Sequence, residues 1–440
     1  MNPMRRGACP GIATPMRTGD GLLARLVPEA PILLEDFAAL CQASQAYGNG
    51  IMEVTQRGSL QVRGLTERGA SDFAHETTLL GLGSDRGPAV LTSPLMGLEP
   101  QAHDLRDSVT RLHAEVAARP ALLALGPKVS VLVDGGGTLH LDGIPADLRV
   151  RAASATEIHL SIAGTAITAS PLGSVPSHEI EQVIVAILAC IAKRGEGARA
   201  RDFLTTEGVA TLRAAIPIPV REVPPSKSRP AVDCVGVHPL TNGRVALGIA
   251  LAFGYAQAGQ LDRLAKAVIG VGATSLRPAP GRTLLILELP ATAAPEIAML
   301  AAQEGFITQP TDARRYVVAC AGAPACASAL LDTRRLAPQI ARAAASLLDG
   351  SFTVHLSGCA KGCAHPQAAA LTLVGPDHLI VDGRPGDRAH ATISTAALIS
   401  GLVRLGEQHQ QPLLPRERGE QLLSRLGSTQ LIELFARMPA

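Results

Sequence analysis

Hydrophobic and polar positions follow two different periods along the first 65 residues. In LLEDFAALCQASQAYG, residues 33–48, apolar residues recur at helical spacing, and Gly48 is suited to end that helix. The preceding LLARLVP is typical of a strand, and GIMEVT and SLQVRG alternate as a hairpin around Gln56–Gly58. The pattern predicts a unit of strand, helix, strand, turn and strand.

The same pattern returns in residues 243–289, GRVALGIALAFGYAQAGQLDRLAKAVIGVGATSLRPAPGRTLLILEL. With Gly19 set against Gly243, Gly50 falls beside Thr274, and the final strand pairs of the two copies align without a gap. Each copy alone would leave a sheet edge unpaired. We therefore expect the two copies to associate into one domain around a pseudo-twofold axis.

Two longer segments surround the second copy, and both predict helices packed on a sheet. The middle segment holds helices in RLHAEVAARPALLAL and SHEIEQVIVAILACIAKRG, the latter with Ser177 as N-cap, and hairpins in KVSVLVDGGGTLHLDG and EIHLSIAGTAITAS. The last segment holds strands in FTVHLSG, AAALTLVG and HLIVDG and a helix in PQIARAAASLLDG. PIPVREVPPSKSRPAVD, rich in proline and charge, is typical of a linker.

These elements predict an α+β protein. Its expected parts are a first ferredoxin-like half-domain at 1–80, a mixed domain at 81–216, a linker at 217–233, a second half-domain at 234–292 and a last mixed domain at 293–440.

Composition narrows the classes of function. Lys and Arg number 40 against 38 Asp and Glu, and aromatic residues make up 2% of the chain, which argues against nucleic acid as a partner. The longest apolar runs fall short of the roughly 20 residues that span a bilayer, and no apolar segment follows the N-terminal arginines as in a secretory signal. We expect a soluble cytoplasmic protein without a membrane partner.

Four of the eight cysteines are clustered near the end of the chain. Cys320 and Cys326 enclose five residues, and Cys359 and Cys363 enclose three. Zinc knuckles usually use tighter Cys-x2-Cys turns, whereas wider loops of small residues suit a [4Fe-4S] cluster, so the spacing favours the cluster over zinc. The scattered cysteines are expected to be small core residues: Cys9, Cys41, Cys190 and Cys234.

This cysteine pattern, joined to the repeat, resembles the sulfite and nitrite reductase superfamily. The resemblance implies two ferredoxin-like half-domains that pair pseudo-symmetrically and two mixed domains that carry the cluster and a tetrapyrrole. It makes the four clustered cysteines the cluster ligands, with Cys363 placed to bridge to sirohaem. TQRGSLQ looks like the family segment that places Arg57 at the active site, LTSPLMG like an active-site loop, and GPKVSVLVDGGG like the segment of the active-site lysine, here Lys128.

Departures from the reductases point to one family within the group. A second lysine is replaced by Ser130, the active-site arginine position aligns with Gly87 beside Arg86, and the last cysteine is followed by AHP. RGACPGIATPMRTGDGLLARL and SGCAKGCAHP are similar to the precorrin-3B synthases. That likeness implies a mono-oxygenase that uses O2 and a reductant to hydroxylate precorrin-3A at C20 and form a γ-lactone in aerobic cobalamin biosynthesis.

The same likeness implies the cofactors and partners. They are a [4Fe-4S] cluster, a mononuclear non-haem iron, and electrons from NADH through a reductase or from ferredoxin, since no nucleotide fingerprint occurs. His355 and His365 flank the cysteine motif without a carboxylate partner in the sequence, so a structural role is the simpler expectation for both. Arg57 and Lys128 are expected to bind tetrapyrrole carboxylates, with weaker candidates in Arg17, Arg63, Arg86 and Lys361.

Two alternatives stay open from sequence. A sirohaem-dependent assimilatory sulfite or nitrite reductase would contain sirohaem, and a non-catalytic metal-binding scaffold would contain zinc or a cluster without affinity for a tetrapyrrole.

Overall fold

The computed structural model describes residues 10–82, 87–125, 128–195, 197–409 and 417–436. Its strands form four five-stranded sheets. The strands are β1 Met16–Thr18, β2 Gly21–Leu26, β3 Ile32–Leu33, β4 Ile51–Val54, β5 Leu60–Leu65, β6 Ala89–Thr92, β7 Ser130–Asp134, β8 Ala146–Ala152, β9 Glu157–Gly164, β10 Ser170–Pro176, β11 Gly236–Pro239, β12 Val245–Ala250, β13 Tyr255–Gln257, β14 Ser275–Ala279, β15 Thr283–Leu289, β16 Val317–Ala319, β17 Val354–Ser357, β18 Ala369–Val374, β19 His378–Gly383 and β20 Ala391–Thr392.

The helices pack on these sheets and close the cores. They are α1 Leu34–Tyr47, α2 Glu67–Leu79, α3 Arg106–Ala117, α4 Pro120–Leu123, α5 Ile180–Ala192, α6 Thr206–Ala215, α7 Ala258–Gly270, α8 Ala294–Gln303, α9 Thr333–Ala343, α10 Thr395–His409 and α11 Gly419–Ala436. No described helix is long and apolar enough to cross a membrane.

The internal repeat is present in the structure. With Gly19 aligned to Gly243, the first residue of α1, Leu34, falls on Ala258, the first residue of α7. The strands β2, β4 and β5 correspond in the same alignment to β12, β14 and β15. The two copies therefore share one order of elements.

The two copies complete each other's sheets by exchanging one short strand. The first sheet has the order β1-β2-β5-β4-β13, and the second has the order β11-β12-β15-β14-β3. Tyr255 of β13 pairs with Glu53, and Ser275 of β14 pairs with Leu33 of β3. Helices α1 and α7 pack together over one shared core, which contains Cys41. This confirms the pseudo-symmetric pairing of two half-domains.

The other two sheets share a second topology. In one, β6, β7 and β8 are parallel, and β9 and β10 continue antiparallel. In the other, β16, β17 and β18 are parallel, and β19 and β20 continue antiparallel. The predicted α+β class, with two mixed domains beside the paired half-domains, is confirmed.

Two local predictions are wrong. KVSVLVDGGGTLHLDG is not a hairpin, because only Ser130–Asp134 forms a strand and it pairs in parallel on both sides. All five of these residues are buried, as is usual for a parallel strand covered on both faces. Ser177 does not cap α5, because its hydroxyl donates to the carbonyl of Ala155 and the helix begins at Ile180 after a 3-10 turn.

Candidate active site

A cavity of about 500 Å³ lies between the first sheet and the loops that follow β16 and β17. This volume is within the range of roughly 300–1,000 Å³ of small-molecule sites. One wall carries the four clustered cysteines, and the facing wall carries polar side chains of β2, β4 and β5.

The thiols meet because of the sheet topology. Cys320 follows β16 directly, and Cys359 lies two residues after β17. These strands are parallel neighbours, so the loops at their carboxyl ends emerge at the same sheet edge. Cys326 and Cys363 complete the wall from the same two loops.

The clustered cysteines also affect the Cys363 thiol electrostatically. Burial raises the pKa of the Cys363 thiol, and the charges of Cys359, Cys320 and Cys326 raise it further. The Cys363 thiol therefore needs a nearby cation or cluster to be held as a thiolate. The amide of Gly358 donates to the Sγ of Cys320 over 3.1 Å, the type of backbone contact that tunes an iron-sulfur centre.

This wall suits a cluster better than a single ion. Within the described ranges, no group of three or more His, Cys, Asp or Glu side chains is placed to hold one metal ion. The four cysteines nevertheless line one cavity, and three of them add to the raised pKa of the fourth, Cys363. A cubane takes one thiolate at each of four irons, so a set of four thiols at one cavity wall suits it.

The facing wall is a row of paired polar residues across four strands. Tyr255 pairs with Glu53, Glu53 with Gln61, and Gln61 with Arg25. All four side chains line the cavity. Among the described lining residues, Glu53 is the one carboxylate against five arginines: Arg25, Arg57, Arg63, Arg282 and Arg334. The cavity is therefore suited to an anionic ligand.

Arg57 lies in this wall and connects it to a mixed domain. Its guanidinium donates to the carbonyl of Pro145 over 2.7 Å and to the Ser130 hydroxyl over 3.3 Å. Ser130 is the residue that the sequence resemblance sets against the second lysine of the reductases. Lys128, two residues earlier, is exposed and is not among the residues lining the cavity.

Arg63 is a buried anchor, not a surface charge. It donates to both carboxylate oxygens of Asp20 over 2.9 and 3.0 Å and to the carbonyl of Ala325 over 2.8 Å. Burial opposes its charge, but Glu53 and Asp20 outweigh this effect and raise the pKa of Arg63. Because Ala325 precedes Cys326, this arginine fixes the first cysteine loop to the first sheet.

Two of the other weaker candidates, Arg17 and Lys361, are not among the residues that line the cavity. Arg17 is exposed and forms an ion pair with Glu67, and Lys361 is exposed with its amine 3.2 Å from the Ser328 hydroxyl. Arg86 lies outside the described residues.

The two histidines lie side by side behind the cavity. The ring centroids of His355 and His365 are 5.5 Å apart at an edge-on angle of 72°. His355 is fully buried on β17, and neither ring nitrogen has a hydrogen-bond partner among the described residues. Burial lowers the pKa of His355 to about 4, helped by the charges of His365 and Arg282, so its ring is neutral near pH 7.

Sequence reasoning missed most of the polar wall. Arg25, Glu53 and Gln61 could have been found from the alternation of strands β2, β4 and β5, once their order in the sheet was assumed. Arg282 could have been found from the repeat, because it aligns with the turn residue Gly58 of the first copy.

Comparisons with known proteins agree with this architecture. The chain is 36% identical to a precorrin-3B synthase of Sinorhizobium sp over 440 aligned residues, which cover 98% of this chain and 95% of the relative. It is 24% identical to a ferredoxin–nitrite reductase of Synechococcus elongatus over 80% of this chain and 76% of that one. The solved structure of the Mycobacterium tuberculosis NirA protein matches with a TM-score of 0.74 at 20% identity, covering 93% of this chain and 84% of that chain. No family model matches.

The paired half-domains and the four-thiol wall define an oxidoreductase of the sulfite and nitrite reductase superfamily. The similarity to the reductases is distant. Within the superfamily, the chain belongs to the precorrin-3B synthase family.

Proposed function

We propose that this chain is a precorrin-3B synthase of aerobic cobalamin biosynthesis. It hydroxylates precorrin-3A at C20 and closes a γ-lactone on the macrocycle. One oxygen atom of O2 enters the product, and the other leaves as water with two electrons and two protons from a reductant. The observation that supports this most is the similarity to a precorrin-3B synthase along nearly the whole chain.

The cavity supports a tetrapyrrole as the substrate. A macrocycle with acetate and propionate groups needs cations around an apolar body, and five arginines line this cavity together with apolar residues such as Met16, Leu23 and Phe253. Arg57 is the predicted site residue on this wall, and we assign it to a carboxylate of the substrate. Lys128 is exposed and does not line the cavity, so its proposed contact with the substrate rests on the sequence resemblance.

The cluster supplies one-electron transfer when it is bound. Cys320, Cys326, Cys359 and Cys363 would hold it at the wall that faces the polar row. The amide of Gly358 supports the Cys320 sulfur from the protein side. Arg63 holds the Cys320–Cys326 loop against the first sheet, so the cluster wall and the substrate wall keep a fixed separation.

The family resemblance also implies a mononuclear non-haem iron. The described residues around His355 and His365 provide no third ligand for such an ion, so these residues do not fit it and no step is assigned to it. The electron donor is proposed to be a separate protein, either an NADH-dependent reductase or a ferredoxin.

The test starts with anaerobic purification. Iron, sulfide and zinc are measured, and acid-acetone extraction reports any bound tetrapyrrole. A cubane without sirohaem, followed by incorporation of one labelled oxygen atom from ¹⁸O2 into precorrin-3A, is the expected result. Failure to oxidise precorrin-3A with a fully loaded cluster and a competent reductant would refute the proposal.

The distant similarity to nitrite and sulfite reductases supports a second candidate. Sirohaem in the extract, with reduction of sulfite or nitrite, would replace the proposed function by that activity.

A further inference from the structure

We propose that Arg282 is a substrate-binding residue that holds a carboxylate of the ligand in the cavity. The inference deepens the proposed function and rests on it for the identity of the ligand. Arg282 lies in the turn between β14 and β15, and its side chain lines the cavity.

The guanidinium of Arg282 has no hydrogen-bond or ion-pair partner within the described part of the chain. The nearest carboxylate that influences it, Glu53, is already bound by Arg334 over 2.5 Å and lies 3.7 Å from Arg63. Burial lowers the pKa of Arg282, and Glu53 offsets only part of this effect. A largely desolvated cation that faces a cavity without an acceptor is stabilised when an anion enters.

The backbone at this residue adopts a left-handed conformation within the tight turn between β14 and β15. Arg282 has φ of +63°, in the left-handed region that side chains rarely adopt. The matching turn residue of the first copy is Gly58, with φ of +81°. Glycine is the usual residue at such a position, and retained strain of this kind is concentrated at functional sites.

Neighbouring residues leave space for the Arg282 side chain and hold the turn between β14 and β15 in place. A Cβ on Gly254 would lie 2.8 Å from the Cδ of Arg282, so a glycine is needed there. The carbonyl of Arg282 accepts from the amide of Leu251 over 3.0 Å, and the amide of Gly281 donates to the carbonyl of Gln56 over 3.1 Å. The turn thus joins the two copies beside the cavity.

His355 lies near this cation, whose charge adds to the effect of burial in lowering the pKa of His355. His355 is fully buried, with two ring nitrogens that lack partners. The arginine fork matches a carboxylate in two parallel hydrogen bonds, which fixes the orientation of the ligand as well as its affinity.

The test compares Arg282→Gly, Arg282→Gln and Arg282→Lys in the anaerobically loaded holoprotein. Arg425→Gln is the control, because Arg425 is exposed on α11 and pairs with Glu417. Binding is measured by fluorescence quenching of uroporphyrin, with eight carboxylates, and of its octamethyl ester, with none. KM and kcat are measured with precorrin-3A.

We expect Arg282→Gln and Arg282→Gly to weaken uroporphyrin binding about 10- to 100-fold and to raise KM for precorrin-3A similarly. Lysine should recover part of the affinity, and the ester should bind all variants alike. Arg282→Gly should not lower the thermal midpoint, because glycine relieves the left-handed strain and no internal bond is lost. An arginine with a merely structural role would show the reverse: a lowered midpoint and unchanged binding.

The outcomes distinguish failure of the Arg282 proposal from failure of the proposed function. If wild-type protein oxidises precorrin-3A and the Arg282 variants keep its KM, the role of Arg282 is refuted and the proposed function stands. If precorrin-3A is not oxidised but uroporphyrin binding depends on Arg282, the anion site stands and the proposed function fails. If wild-type protein neither binds uroporphyrin nor acts on precorrin-3A, both are refuted.

Discussion

The amide of Gly358 donates to the sulfur of Cys320 over 3.1 Å, and the other mixed domain repeats this contact with oxygen in place of sulfur. There, Ser93 directly follows β6 as Cys320 follows β16, and the amide of Gly135 donates to the Ser93 hydroxyl over 3.3 Å. The two domains thus share a backbone arrangement at the carboxyl ends of their parallel strands. Only the Cys320 side carries the clustered thiols.

The second half-domain has a mostly apolar wall at the matching place, with the buried Arg277 in the position of Glu53. In the repeat alignment, Gln61 and Arg63 correspond to Leu285 and Leu287. These leucines pack with Leu95 and Leu139 in an apolar cluster against the loops after β6 and β7. One pseudo-symmetric interface is therefore a cavity with arginines, and the other is a packed core.

Replacing Gln61 and Leu285 tests this difference directly. Leu285→Gln removes a fully buried leucine that packs with Leu95 and Leu139, and should lower the free energy of unfolding by about 2–4 kcal/mol. Gln61→Leu should change it by less than about 1 kcal/mol, because that side chain faces the cavity. Urea unfolding of the two variants provides the comparison. Equal destabilisation would contradict the assignment of the two interfaces.

Replacing Cys359 by Ser should abolish the cluster. A serine hydroxyl is a poor substitute for a thiolate ligand, so we expect loss of the iron-sulfur absorbance and of all activity. Iron and sulfide per chain are measured after anaerobic purification, with Cys190→Ser on α5 as a control that keeps both. A full complement of iron and sulfide in the Cys359 variant would refute the ligand assignment.

Replacing Arg63 should destabilise the cysteine loop. The side chain is 4% exposed and satisfies Asp20, so Arg63→Gln leaves a buried carboxylate without its cation and should cost about 3–5 kcal/mol of unfolding free energy. Arg17→Gln is the matched control, because the Arg17–Glu67 pair is exposed and should contribute below about 1 kcal/mol. Urea unfolding and the rate of cluster loss in air measure both effects. Similar values for the two variants would show that Arg63 is not an anchor.

The segment predicted as a linker, 217–233, contributes to the free energy of unfolding in a way that depends on pH. Arg229 from this segment forms an ion pair with Asp134 and bonds to Asp142 over 2.6 Å. Burial alone would raise the pKa of Asp142, but the hydrogen bonds and charge of Arg229 outweigh it and hold that pKa below its usual 3.8. The stabilisation is therefore complete above the unfolded pKa and is lost as pH falls through the lower folded pKa.

Asp142→Asn should lower the free energy of unfolding at pH 7 by about 1–3 kcal/mol. The difference from wild-type protein should shrink as pH falls below about 4, because the wild-type carboxyl then becomes protonated as well. Urea unfolding from pH 7 to pH 3 measures it, with Glu407→Gln on the exposed face of α10 as the charge-loss control. A difference that stays constant with pH would refute this linkage.

Patterns in the sequence correctly predicted those features of the structure that depend on residues close together in the chain. The helical period at 33–48, the repeat and the grouped cysteines are such features, and each corresponds to an element or wall of the structure. The cavity depends on which distant strands pair: Glu53 meets Tyr255 only because β13 joins the first sheet. Likewise, apolar and polar residues alternate along 128–143 as in a hairpin. Ser130–Asp134 instead pairs in parallel with a strand on each side, and alternation alone does not identify those partners.

The strand exchange between the half-domains also sets an order of folding. β4 is synthesised at residues 51–54, but its edge partner β13 follows only at 255–257, and β3 at 32–33 waits for β14 at 275–279. Contacts so distant in sequence form slowly and late, and an unpaired sheet edge on a nascent chain is prone to wrong association. The first half-domain therefore leaves the ribosome with an open edge, and its sheet is completed only after more than half of the polypeptide has been translated.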